Sequence, residues 1–569
     1  MFKSLFSSTT APQSVTHVDV RRQYDAQFDS AIQAGEYEPF VYPFCTFGAL
    51  VVILYLLIPH QNSVFWRRMR YVAFAFNAFF SAYAIRYCRT KHMPAAFGVG
   101  LANAWSIVWC WTILVVHDAQ TEFKRIERTE GSMRIIKAEE ENVAEGNGSV
   151  VSDGEPHSTT QFDKSEDSNS NLIRRRAPDS TVYGIHAPSK RMGAFAWQPF
   201  PMTPFVERLD WVIDIFCNFR GMGWNWRIPW LPPPPRRVLE QLHQNSGDPP
   251  SLEEIDSLSR PPRTRIPRYD SRRTLILTNL RLFFTSYLVL DLLKTIMMYD
   301  PYFLGLASLS SPTAPPFLPS LVRDSFALRR AYRLILPMLA AKHALEMIFA
   351  LGPLFFSGLL GPDLLGARGA PWMYPRSWGS YARVLDAGLG GWWGLWWHQT
   401  FRFAFAESGR WAVARLGLER KGRKARAVEL VVAFGLSGFL HACGSATMPG
   451  KSSPVSGSCV FFLLQPLGIV LERYVQAKLL PEKLPMVARR RWARRVWNVV
   501  FVHAWFFLTA PLLCNDWARS GIWLIEIIPV SPLRGMGLGP AVEDGWWCWG
   551  GKWVWWHWGS KWWKSGFAF

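Results

Sequence analysis

Apolar runs of helix length recur along the chain, separated by basic, proline-rich stretches. The runs are Val41–Pro59, Tyr71–Ile85, Ala95–Val116, Leu282–Met298, Leu334–Leu360, Leu430–Met448, Val460–Leu471 and Val496–Leu513, with a weaker one at Gly521–Val530. A hydrocarbon layer of about 30 Å takes about 20 helical residues. The pattern therefore predicts an all-α polytopic membrane protein of roughly eight or nine transmembrane helices. Tyr71–Ile85 is short for that thickness and reads as tilted or interfacial.

The polar stretches divide the chain. Met1–Phe40 reads as a loose arm preceding the first helices, within a segment 1–119. Residues 120–192 carry Glu139-Glu140-Glu141, a Ser/Asp/Asn-rich stretch and Arg174-Arg175-Arg176, too little apolar surface to bury, and read as a disordered loop. Within 193–272, Phe205–Pro235 is mixed and tryptophan-bearing, which suits the membrane interface, and the glycines of Arg220-Gly221-Met222-Gly223-Trp224-Asn225-Trp226 permit a sharp bend. Residues 273–530 form the helical core. The tail 531–569 is rich in tryptophan between Gly545 and Trp563, either as an interfacial anchor or as an atypical carboxyl terminus.

Charge adds an orientation. The net charge of +20 comes from 63 Lys and Arg against 43 Asp and Glu. These cations flank apolar runs, as in Arg67-Arg68-Met69-Arg70 and Arg489-Arg490-Arg491, a placement for lipid headgroups rather than nucleic acid. Loops at Arg67–Arg70, Lys124–Arg273, Lys421–Arg426 and Lys483–Arg495 are basic, and Pro301–Pro319 and Pro449–Gly457 are nearly free of Lys and Arg. Alternate loops thus face the cytosol, with Arg86–Lys91 as the exception. Asn147-Gly148-Ser149 is then an unused sequon, and Gly361–Arg426 lies on the cytosolic side, leading into Leu430–Met448. The eight cysteines show no metal-ligand spacing. Cys443 and Cys459 flank one short loop and would pair if it were lumenal.

Candidate chemistry centres on His441, an ionisable residue inside an apolar run. Such groups are costly in lipid and face protein or a water-filled cavity. At helical spacing His441 shares a face with Ser437, Gly438, Gly444 and Ser445, which fits either a packing face or a substrate approach. Before it comes Gly391-Trp392-Trp393-Gly394-Leu395-Trp396-Trp397-His398-Gln399-Thr400-Phe401-Arg402, an aromatic re-entrant or interfacial element. There His398 is a polar candidate, Arg402 either contacts a phosphate or snorkels, and Trp393, Trp397 and Gln399 with Ser437 are candidate substrate contacts. Lys342 and Glu346, four apart, read as an ion pair, Asp291 and Lys294 as another, and His503 as a packed core histidine.

Four stretches together resemble the fungal wax-synthase-like branch of the membrane-bound O-acyltransferases: Arg220–Trp226, Trp392–Arg402, Ser437-Gly438-Phe439-Leu440-His441, and Phe461-Phe462-Leu463-Leu464-Gln465-Pro466-Leu467-Gly468-Ile469. The resemblance runs over roughly 205–513 and implies a multi-helix fold around a buried reaction chamber. It implies a catalytic role for His441, with His398 as second polar group. Acyl-CoA, with acetyl-CoA favoured, would be co-substrate, with no bound cofactor or metal. The partners implied are a hydrophobic alcohol, such as a terpenoid or other secondary metabolite, and the lipid bilayer, with the endoplasmic reticulum as location. Relatives often carry two arginines at the positions of Leu395 and Trp396, so the phosphate contacts of this chain differ. A long-chain wax synthase is the alternative within the family. A secondary transporter, disfavoured by the lack of internal repeats, and a non-catalytic scaffold are the alternatives outside it.

Overall fold

The fold is described from a computed structural model that covers residues 15–91, 93–128, 194–245, 266–484, 486, 489–549 and 554–568. The longer helices are α1 (His17–Gln33), α2 (Phe47–Leu57), α3 (Val64–Tyr87), α4 (Met93–Trp111), α5 (Phe205–Cys217), α6 (Arg272–Met298), α7 (Phe326–Gly352), α8 (Ala382–Gly391), α9 (Arg402–Arg415), α10 (Arg423–Ala446), α11 (Val460–Tyr474) and α12 (Arg491–Ser520). Among the described residues, six segments built on α4, α6, α7, α10, α11 and α12 are long and apolar enough to cross a bilayer. This is an all-α polytopic membrane protein.

The two amino-terminal runs differ from expectation in length. The apolar helix at the first run is only the eleven residues of α2, about 16 Å. The second run is longer than its apolar stretch. Ser63 caps α3 by accepting from the Trp66 amide, so the helix starts ahead of Arg67 and runs 24 residues. Gly521–Val530 is no span. Gly521, at φ +86°, stops α12 in the left-handed region, and a short 3-10 turn and extended chain follow.

Asp291 and Lys294 explain where that extended chain goes, and they are not an ion pair with each other. Lys294 donates to the carbonyls of Trp523 and Ile525, and Asp291 accepts from Ser531 and from the Leu533 amide. Lys342 and Glu346 do form the predicted pair. His503 is exposed rather than core, its Nδ1 donating to the Val499 carbonyl of its own helix.

α6 packs along α7, α4 lies against both α3 and α10, and α10 also meets α9 and α11, with α8 and α11 closing on α12. Two aromatic cores result. One gathers Trp105, Trp109, Trp211, Trp224, Trp226 and Phe403, and the other Leu389, Trp392, Phe434, Phe461, Phe462 and Phe506. α10 joins them, giving Leu440 to the first and Phe434 to the second. Small residues make the join close. A Cβ on Gly100 would lie 1.9 Å from the Cys443 carbonyl oxygen, and one on Gly444 would lie 2.8 Å from the Phe97 ring.

The Arg220–Trp226 turn bends as its glycines foretold, with Gly221 at φ +70° and Gly223 at φ +78°. Its tryptophans are not interfacial, however. Trp224 stacks edge-on to Trp211 at 5.1 Å and Trp226 lies 4.3 Å from Phe403, both buried in the first core. Trp211 and Phe403, distant along the chain, supply that burial, partners that local composition does not reveal. Part of the predicted 120–192 loop is folded as well. Residues 129–193 fall outside the described residues, but Arg125–Arg128 is a strand pairing antiparallel with Phe195–Gln198. Arg125, fully buried, joins Asp210 at 2.8 Å.

The described residues near both ends take regular structure. Thr16 and Asp19 form a capping box that starts α1. In the tail, Trp555–His557 and Gly566–Ala568 pair with each other, and the second of them with Val41–Tyr42. Lys564 reaches Glu38 at 2.6 Å. Trp558 and Trp562 remain about four-fifths exposed, in keeping with interfacial anchoring. Cys443 and Cys459 are both free. The thiols that meet are Cys45 and Cys88, at 3.4 Å and buried.

Candidate functional site

His441 sits five turns into α10. Its Nδ1 lies 2.8 Å from the Ser437 carbonyl oxygen. A carbonyl only accepts, so Nδ1 carries the proton, and in the neutral ring Nε2 keeps its lone pair. Ser437 thus contributes its main chain, not its hydroxyl, to this contact. The same bond occurs at the exposed His503, so the tautomer prepares a base without by itself marking one. What separates His441 is its surroundings. The Phe462 ring lies 4.3 Å from the imidazole and Phe97 6.5 Å away.

Phe462 is held by the Phe461–Ile469 motif. Gln465, fully buried on α11, donates to the Phe461 carbonyl and accepts with one oxygen from two indoles, Trp393 at 3.3 Å and Trp505 at 3.2 Å. Trp393 in turn faces Phe462 at 5.9 Å and Trp397 at 5.9 Å, and Trp397 stands 5.5 Å from His398. A continuous aromatic chain therefore links the two histidines.

The element carrying His398 is neither a plain helix nor a plain loop. α8 kinks at Gly388, where φ is +58° and a Cβ would lie 1.9 Å from the Glu472 Oε1. A wide turn, Trp392–Trp396, follows and ends in extended chain at Trp397. Gln399 and Arg402 hold that turn closed. The Gln399 amide donates to the carbonyls of Trp393 and Trp397 at 2.8 and 2.7 Å, and Arg402 donates to Gln399 Oε1 and to the Gly394 carbonyl. Both side chains therefore brace the turn. Non-helical backbone of this kind survives inside a membrane protein only when its polar groups are met this way.

His398 is ringed by Trp397, Phe401, Phe349 and Trp378, all between 5.5 and 5.8 Å. Its Nδ1 is buried with no hydrogen-bond partner among the described residues. A buried orphan of this kind is costly unless something else fills the valence. His398 lies outside the six spanning segments, and burial, then the charges of His441 and Arg220, push its imidazole down to about 3. Burial thus favours its neutral form.

Sequence reasoning put His398 and His441 together but missed what frames them. Phe349 and Trp378 come from α7 and from the loop before α8. Asp516 on α12 accepts from Ser445 Oγ at 2.7 Å, Ser458 Oγ at 2.6 Å and the Ser453 amide at 2.5 Å, fastening the end of α10 beyond His441. No local signal marks these residues, because each acts from a different helix. Among the described residues, no cluster of His, Cys, Asp or Glu could hold a metal ion.

Residues 374–464, which contain both histidines, match the membrane bound O-acyl transferase family. The resemblance carried by the motifs thus holds for the segment where the candidate site is built. The chain is similar to three fungal proteins. An acetyltransferase of Aspergillus fumigatus, pyr8, is 31% identical over 28% of this chain and 37% of its own length. An acetyltransferase of Calcarisporium arbuscula, aurG, is 30% identical over 24% of this chain and 33% of its own. An O-mevalon transferase of Aspergillus niger, yanI, is 24% identical over 48% of this chain and 54% of its own. The matches span between a third and about half of these relatives' lengths. No solved structure matches the chain.

Proposed function

We propose that this protein is an integral membrane O-acyltransferase that moves an acyl group, acetyl in the first instance, from acyl-CoA to the hydroxyl of a lipophilic acceptor. The observation that carries the reading is the histidine pair within 374–464, in which Nδ1 of His441 is spent on Ser437 and Nε2 is free to take a proton. The acceptor O–H gives its proton to Nε2 as its oxygen attacks the thioester carbonyl. The tetrahedral intermediate then expels the CoA sulfur, which recovers that proton from the imidazolium. General base assistance of this kind contributes about 10²–10⁴-fold. His398, neutral and with a nitrogen unpartnered, would donate to the oxyanion or orient the acceptor, a contribution of about 10²–10³ for an oxyanion donor.

Two of the three relatives are named acetyltransferases, which supports a short acyl group and an acceptor of the secondary-metabolite kind over a long-chain wax ester. The test is acyl transfer on membranes supplied with labelled acetyl-CoA or palmitoyl-CoA and a panel of lipophilic alcohols. Ester should form from acetyl-CoA with wild type and fall at least a hundredfold with His441→Ala. Undiminished transfer by His441→Ala would refute the base. Preference for palmitoyl-CoA would refute the acetyl assignment.

A further inference from the structure

A cleft of about 510 Å³ opens between α6 and α7, away from the two histidines, and is lined by Arg281, Arg376, Lys342, His343, Glu346 and Ser286. Its depth follows from the helix register. At one end Arg272 donates to the carbonyls of Ser357 and Gly358, at 3.0 and 2.7 Å. Fourteen residues further along α6, Ser286 meets His343 at 3.2 Å. At 1.5 Å per residue this level lies about 21 Å along the helix from Arg272. Arg281 lies about 13 Å along the same helix.

Three cations share this space with one carboxylate. Glu346 is committed to Lys342 and also accepts from Ser286. Among the described residues, no carboxylate pairs with Arg281 or Arg376, and Arg376 has only the Tyr269 hydroxyl, at 3.4 Å. Both arginines are exposed, and clustered cations without a paired carboxylate attract anionic groups. Arginine forks suit phosphate in particular. Leu277 and Leu282 line the same cleft, and Leu277 is more than half exposed on the flank of the protein.

We propose that this cleft binds a phosphate-bearing amphiphile, with the phosphate held by Arg281, Arg376 and Lys342 and the acyl chain laid along Leu277 and Leu282. Two sources carry that chemistry, an acyl-CoA and an anionic phospholipid. α7 links the cleft to the candidate site in either case. Phe349, one turn beyond Glu346 on α7, contacts His398 at 5.6 Å, and the Arg376 carbonyl accepts from Arg220 at 3.4 Å. The acyl-CoA source rests on the acyltransferase reading above. The phospholipid source does not.

Binding is measured on the full chain in neutral detergent, by native mass spectrometry with palmitoyl-CoA and with dioleoyl phosphatidic acid. Wild type is compared with the double variants Arg281→Gln/Arg376→Gln and Arg281→Lys/Arg376→Lys, each checked for wild-type melting. The glutamine pair should weaken at least one probe tenfold or more, and the lysine pair should recover part of that loss. Weakening of palmitoyl-CoA alone assigns the donor, and of phosphatidic acid alone the lipid. Unchanged affinity for both probes in the glutamine pair overturns the proposal and leaves Arg281 a snorkelling cation. Because binding is read without turnover, a wild-type protein that forms no ester would sink the acyltransferase reading and leave this test intact.

Discussion

Gly100 and Gly98 lie two residues apart on α4 and make opposite predictions. A Cβ at Gly98 meets nothing within 4 Å, whereas one at Gly100 would stand 1.9 Å from the Cys443 carbonyl oxygen and 2.5 Å from Thr447 Oγ1. An ordinary carbon-to-oxygen contact is about 3.3 Å, so Gly100→Ala must drive α4 and α10 apart by about 1.4 Å. Cys443 is two residues from His441, and the Gly100 amide also donates to Thr447 at 3.1 Å, a bond the shift would break. Overpacking of this kind costs about 1–3 kcal/mol. A displacement of about 1 Å at a reacting group costs on the order of a hundredfold in rate. The assay is acetyl transfer by detergent-solubilised protein, with the melting temperature recorded on the same preparation. Gly98→Ala should match wild type in both. Gly100→Ala should remain folded with a lowered melting temperature and lose about a hundredfold in kcat. Wild-type turnover and melting in Gly100→Ala would refute the claim that backbone contact between these helices sets the position of His441.

Three further expectations concern the supports of the site. Gln465→Leu strands the indole N–H groups of Trp393 and Trp505, at about 1–3 kcal/mol each. It should lower the melting temperature and shift tryptophan emission, while Gln465→Glu, which keeps the acceptor, should shift it less. Equal effects would show that the shared acceptor is not what matters. Asp516→Ala removes the partner of three donors and should destabilise by about 3 kcal/mol or more. A melting temperature unchanged from wild type would show that these bonds do not hold the end of α10. His117, beyond the end of α4, pairs with Glu407 of α9 at 3.3 Å and with Glu122 at 2.7 Å. Burial opposes both charges, but the partners outweigh it, raising the His117 imidazole above its ordinary value and pushing the Glu407 carboxyl down to about 2. The histidine contribution is complete below about 6.5 and lost as pH rises through its folded value, and the glutamate contribution is complete above about 4.5. The melting temperature should therefore fall from pH 6 to 8 more in wild type than in His117→Gln, and equal slopes would count against the pair.

The apolar periodicity alone determined that the chain is helical and spans a membrane, because a run of about 20 apolar residues has nowhere cheaper to go than lipid. It also singled out His441 and His398, since an ionisable or polar group in such surroundings stands out residue by residue. The predicted pairing of Lys342 with Glu346 followed from helical spacing. Asp291 and Lys294 did not follow it, because each found backbone partners in residues 523–533 that spacing within one helix cannot reveal. Trp224 and Trp226 looked interfacial by composition, and became core only because Trp211 and Phe403 arrive from elsewhere in the chain. The hold of the Gln399 amide on the wide turn before it was likewise visible only in the fold. Sequence thus determined which residues are expensive to bury. Only the tertiary structure decided what each is buried against, because hydrogen bonds, ring contacts and helix spacing depend on partners far away along the chain.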